Sequence, residues 1–112
     1  MPIGEITVDE LEEHLAAGAR VVDVREPDEY EEGHVPGALL VPLGTVPDRV
    51  DEVRDVQRGI DGPLYVICKS GGRSMRACEV LADHGLDVVN VAGGTMGWVL
   101  AGKSTASGAL PE

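Results

Sequence analysis

The apolar run Leu64-Tyr65-Val66-Ile67 stops abruptly at Cys68, and Lys69-Ser70-Gly71-Gly72-Arg73 intervenes before apolar residues resume. Four β-favouring residues between the loop at 59–63 and a polar, glycine-rich segment predict a buried parallel strand. Across residues 74–84, Ala77 and Cys78, then Leu81 and Ala82, recur at helical spacing, and Gly85 supplies a stop. Strand, tight loop and helix in that order leave a cysteine at the C-terminal end of a strand. Gly71 and Gly72 let the backbone curl so that successive N–H groups point at the sulfur, and the helix N-terminus adds partial positive charge. A thiol held there ionises more readily than an ordinary one near pH 8.5, roughly in the 3.5–7.5 range of such sites, and the thiolate is the nucleophile. A buried structural cysteine would need neither Lys69 nor two glycines. Cys68 is therefore the candidate nucleophile.

The rest of the chain repeats the alternation. Residues 3–6 read as a short edge strand. Thr7 and Glu10 have the spacing of a capping box, Ile6 and Leu11 that of a hydrophobic staple, and Val8, Leu11 and Leu15 form a stripe ended by Gly18. Residues 20–24 are a second strand. Pro27 suits the first position of a short helix and Gly33 its end. His34-Val35-Pro36-Gly37 is a turn before a third strand at 38–41. Thr45, Pro47 and Asp48 predict the start of another helix, with Val46, Val50, Val53 and Val56 as its stripe. Residues 88–91 are the last strand, and Gly93-Gly94 lead into a final helix in which Met96, Trp98, Val99 and Leu100 are expected to pack. Residues 103–112 read as a frayed, flexible tail after one domain spanning 1–102. Strands alternating with helices imply a largely parallel sheet covered on both faces, with ligands bound beyond the C-terminal strand ends. Asp23 and Arg25 should sit there too, at the exit of the neighbouring strand.

Charge narrows the partners. A net charge of −11 argues against nucleic acid and anionic membranes. Acidic residues crowd positions 5–32, whereas Lys69, Arg73 and Arg76 gather at the cysteine loop. Screening over about 8 Å lets that local patch dominate near the sulfur, so a small anion can still be a substrate. Two cysteines ten residues apart form neither a disulfide framework nor a zinc site, and no metal or organic cofactor is expected. No run approaches a membrane span and the start, MPIGEITV, has no basic or long apolar segment, so a cytoplasmic location is the expectation, and the acidic surface and single-domain size point to a monomer.

Three blocks then converge on one family. CKSGGRS at 68–74, DVREPDEYEEGHVPGA at 23–38 and VAGGTMGW at 91–98 resemble a single-domain rhodanese, in that family's order and over nearly the whole chain. The stretch after Trp98 departs from the family's usual apolar ending. The resemblance implies an α/β fold, a three-layer α/β/α sandwich around a mainly parallel five-stranded sheet. It implies a sulfurtransferase that moves sulfane sulfur from a donor such as thiosulfate, through a Cys68 persulfide, to cyanide, a thiol or a sulfur-acceptor protein. Cys68 matches the sulfur-accepting cysteine, Lys69, Ser70, Gly71, Gly72, Arg73 and Ser74 the substrate-binding loop, and Asp23 and Arg25 a supporting block.

Rival chemistries are weaker. Phosphatases and arsenate reductases of the related fold use a Cys-x5-Arg loop, which gives a tetrahedral phosphoryl group room and donors; from Cys68 to Arg73 the spacing is Cys-x4-Arg, and Ile67 stands where that group usually has histidine. A regulatory binding module or sulfur relay stays compatible with the sequence. Arg73 has two readings, contact with the donor or bracing of the loop through a carboxylate such as Glu26. Cys78 reads as a core thiol, His34 as a turn-bracing partner, His14 and His84 as solvated, and Trp98 as core.

Overall fold

The computed structural model describes residues 3–112. Five strands, β1 (Gly4–Ile6), β2 (Val21–Asp23), β3 (Leu39–Leu40), β4 (Leu64–Ile67) and β5 (Val88–Val91), form one sheet in the order β1-β5-β4-β2-β3. Every pairing is parallel. The helices are α1 (Val8–Ala16), α2 (Pro27–Glu32), α3 (Val50–Gln57), α4 (Gly72–Asp83) and α5 (Gly94–Leu100). β4 lies at the centre because all four of its residues are apolar and both of its faces are covered. Its side chains alternate: Leu64, Val66 and Cys68 join a core with Val53, Ala77, Cys78 and Leu81, while Tyr65 and Ile67 join another with Leu11, Tyr30 and Trp98. Thus α3 and α4 cover one face and α1, α2 and α5 the other, the three layers expected.

Local chemistry explains most boundaries. Glu10 N–H donates to Thr7 Oγ1 and Thr7 N–H to Glu10 Oε1, closing the capping box of α1. Pro27 opens α2 and Gly33 ends it.

The structure departs from expectation in three places. The helix expected from Thr45 is divided: Leu43–Asp48 is 3-10 helix, and α3 starts only at Val50. Pro47 lacks an N–H and sits inside the tighter turn, so a continuous ladder cannot cross it. The stripe survives nonetheless, with Val46, Val50 and Val53 buried.

On α5 the packing residues are Thr95 and Trp98, three apart, whereas Met96, Val99 and Leu100 form a second stripe that faces outward and is 45%, 54% and 81% exposed.

Residues 103–112, expected to fray, instead lie along the body. His34 and Ala106 exchange backbone hydrogen bonds of 2.8 and 2.9 Å, Gly108 N–H donates to Glu31 O, and Gly37 N–H to Pro111 O. Small residues at this end allow the close approach. Lys103 is drawn in by Asp9 and Glu12 and covers Trp98, whose indole N–H donates to Ser104 O.

Candidate active site

Cys68 leaves β4 where the strand's hydrogen bonding ends, and the next six residues fold back over its sulfur. Gly71 takes φ +107°, a left-handed conformation that aims its amide at the sulfur, and α4 begins at the next residue. A Cβ on Gly71 would also stand 2.6 Å from Ala92 O, so only glycine fits the turn. Gly71 N–H donates to Cys68 Sγ at 3.1 Å and Ser74 Oγ lies 3.2 Å from it. Burial pushes the Cys68 thiol up, but the Ser74 hydroxyl and the amides of Ser74, Gly71 and Ser70 more than offset this, and the net direction is down. Cys78, in the same core, has no such donors, and burial pushes its thiol up to about 12. The two cysteines are both free and buried. Only Cys68 is electronically prepared to react.

The loop is clamped from the far side by α5. Thr95 N–H donates to Cys68 O at 2.8 Å and Met96 N–H to Lys69 O at 3.0 Å. This requires Gly94, at φ +62°, to press against the loop; a Cβ there would fall 2.3 Å from Lys69 O. Gly94, the second glycine of the pair before Trp98, is thus the surface on which the cysteine loop rests.

The cations do three different jobs. Arg73, whose role the sequence leaves open, makes a forked bond with Glu29 of α2, at 2.6 and 2.9 Å, rather than with Glu26. That pairing drives Glu29 down to about 2 and pushes Arg73 up. Arg25 is buried on Asp23, with Nη2 2.8 Å from Oδ2 and 2.8 Å from Gly33 O, so this pair ties β2 to the end of α2. Asp23 and Arg25 stand beside β4 as expected, but make no contact with the sulfur. Lys69 is exposed and, among the described residues, makes no ion pair. Beside it opens a cavity of about 370 Å³, lined also by Arg25, Glu29 and Thr95 and rimmed by Met96, Val99 and Leu100.

Three contributors went unread in the sequence. Glu29 is a partner chosen by tertiary packing, and nothing local marks it among its acidic neighbours. Thr95 carries the buried side-chain oxygen without a hydrogen-bond partner among the described residues. Asn90 did leave a signal, as the polar residue in the otherwise apolar strand VVNV. No group of three or more His, Cys, Asp or Glu able to hold a metal occurs among the described residues, and no helix there is long and apolar enough to cross a membrane.

Comparison with known proteins gives the same direction. The rhodanese-like domain family model matches residues 7–101. A sulfurtransferase of Allochromatium vinosum is 34% identical over 103 residues, covering 89% of this chain and 92% of its own. Thiosulfate sulfurtransferase 16, chloroplastic, of Arabidopsis thaliana is 35% identical over 100 residues, covering 81% and 82%. The human single-domain sulfurtransferase TSTD1 superposes with a TM-score of 0.75 at 28% identity, covering 89% of this chain and 96% of that one. With its five-stranded parallel sheet, its cysteine loop and a family match across most of its length, the chain belongs to the rhodanese-like domain family, and its relatives' names support a role in sulfur transfer.

Proposed function

We propose that this protein is a thiosulfate:thiol or thiosulfate:cyanide sulfurtransferase working through a persulfide on Cys68. The observation that carries the reading is the sulfur itself, with an amide donor at 3.1 Å, a hydroxyl at 3.2 Å and an ionisation eased despite burial. The Cys68 thiolate attacks the outer sulfur of thiosulfate; the S–S bond of the donor breaks, sulfite leaves with the electron pair, and Cys68–S–S⁻ remains. Cyanide or a thiolate then attacks the terminal sulfur, and the Cys68 thiolate returns. The Gly71 and Ser74 donors stabilise the anion at each stage, as preorganised dipoles do for developing charge. Lys69, which lines the cavity and has no ion-pair partner among the described residues, is the cation available to attract the donor's sulfonate oxygens. Arg73 braces the loop, because its guanidinium is already occupied by Glu29.

The exposed Met96, Val99 and Leu100 rim the same cavity. That apolar edge supports a second form of the reading, in which the acceptor is a protein thiol.

Intact-mass measurement after incubation with thiosulfate tests the proposal. Wild type should gain about 32 Da, one sulfur, that cyanide removes, and Cys68→Ser should gain nothing. No gain on the wild type would overturn the thiosulfate donor.

A further inference from the structure

Asn90 is the polar member of β5 and is fully buried. Its amide has one possible orientation. Nδ2 faces two acceptors, Glu5 Oε2 at 2.9 Å and Gly71 O at 3.1 Å, so Oδ1 must face Ser74 Oγ, 2.5 Å away. The Ser74 hydroxyl therefore has two acceptors in reach, Asn90 Oδ1 and Cys68 Sγ, and one hydrogen to give. It cannot serve both.

The two protonation states of Cys68 divide that hydrogen differently. When Cys68 is a thiol, its S–H can donate to Ser74 Oγ while Ser74 donates to Asn90, and every group is satisfied. When the thiol has lost its proton to water, the sulfur can only accept. Ser74 must then turn its hydrogen to the sulfur and leave Asn90 Oδ1 without that donor. Ionisation of the nucleophile is thereby opposed by a neighbour it never touches.

We propose that Asn90 is a positioning residue of the sulfur-transfer site: it competes with the Cys68 sulfur for the Ser74 hydroxyl and, through its amide nitrogen, holds Gly71, the second donor to that sulfur, in place. The inference rests on Cys68 being the reacting nucleophile. Asn90 thus acts in two opposed senses. Competition for Ser74 makes the thiolate harder to form, and bracing of Gly71 makes it easier. The charged and titratable groups of the site are Lys69 beside Cys68, Arg73 and Cys78 on α4, Asp23 on β2 facing Arg73, and Glu5 on β1, which Asn90 holds; none of them changes with the direction of the Ser74 hydroxyl.

A double-mutant cycle separates the two effects. Iodoacetamide alkylation of Cys68 is followed against pH, without any sulfur donor, in wild type, Asn90→Ala, Ser74→Ala and the double variant. With Ser74 present, Asn90→Ala releases the hydroxyl to the sulfur; in the Ser74→Ala background it can only loosen Gly71 and free the Glu5 carboxylate, two effects present in both backgrounds. The shift in the alkylation midpoint caused by Asn90→Ala should therefore lie about half to one pH unit further to the acid side when Ser74 is present. Equal shifts in the two backgrounds would overturn the proposal. Asn90→Val, which fills the site with a strand-favouring side chain, carries the same cycle if the alanine variant does not fold. An intact cycle in protein that takes no sulfur from thiosulfate would count against the donor and leave Asn90's role standing.

Discussion

Glu29 is a residue through which acid should weaken the site. Its carboxyl lies at about 2 instead of 4.5 because Arg73 hydrogen-bonds it. A carboxylate lowered in the folded state adds stability that is fully present above 4.5 and is lost as pH falls towards 2. The side chains are 35% and 29% exposed, so solvent screens the pair and its contribution is about 1 kcal/mol. Glu29→Gln should therefore lose about that much at neutral pH and show a flatter decline in acid; denaturant titrations across this pH range would show it, and parallel acid limbs would refute it. Cys78 supplies a matching control. With its thiol pushed up to about 12 by burial, native protein at about pH 7 should take up one alkyl group, on Cys68, and Cys78→Ala should leave that rate unchanged.

Between α5 and the cysteine loop there is no room for a single methyl group. Gly94→Ala combines a positive φ with a Cβ 2.3 Å from Lys69 O, and the three nearest atoms, Lys69 O, Lys69 C and Ser70 N, are all backbone, so the loop or the helix must move. The expected cost is roughly 2 kcal/mol in stability, together with an alkylation midpoint shifted to higher pH as the loop amides swing off the sulfur. A variant as reactive as wild type would show that the contact does not position the loop. β4 and β5 were legible in the sequence residue for residue, because a parallel strand covered on both faces is a short, mostly apolar run ended by turn residues, unbroken in β4 and interrupted in β5 only by Asn90. The cysteine loop was equally legible, being local: its donors lie within six residues of the sulfur. The division at Pro47 was hidden because a valine stripe reads alike through a 3-10 turn and an α-helix. On α5, composition offered two apolar stripes and no means of choosing between them. Glu29 and Asn90 belong to the site through tertiary packing: nothing local marks Glu29, and the polar position in VVNV marks Asn90 without saying what it meets.

Considered whole, the molecule is closed by its last ten residues. Ala106 pairs with His34, and Pro111 O accepts from Gly37 N–H and faces His34 Nε2 at 3.1 Å, while His34 Nδ1 lies 2.8 Å from Tyr30 O and its ring stacks on Tyr30. Removing residues 104–112 exposes that stack and strands these groups, and should cost about 2 kcal/mol, lowering Tm by roughly 8–16 °C. The alkylation midpoint of Cys68 should not move, since the strap touches α2, the turn after it and Trp98 of α5 but not the cysteine loop itself; a large change there would show that the strap also shapes the site through α5. The order β1-β5-β4-β2-β3 has a consequence for biosynthesis. During synthesis Cys68 emerges before Asn90 and Gly94, and β4 can complete neither its ladder nor its loop until the strand after α4 has inserted beside it. A chain still being made carries an ordinary thiol there. The nucleophile acquires its heightened reactivity only as the last parallel strand docks, a step that high contact order makes slow, so an unfinished copy lacks the activated sulfur.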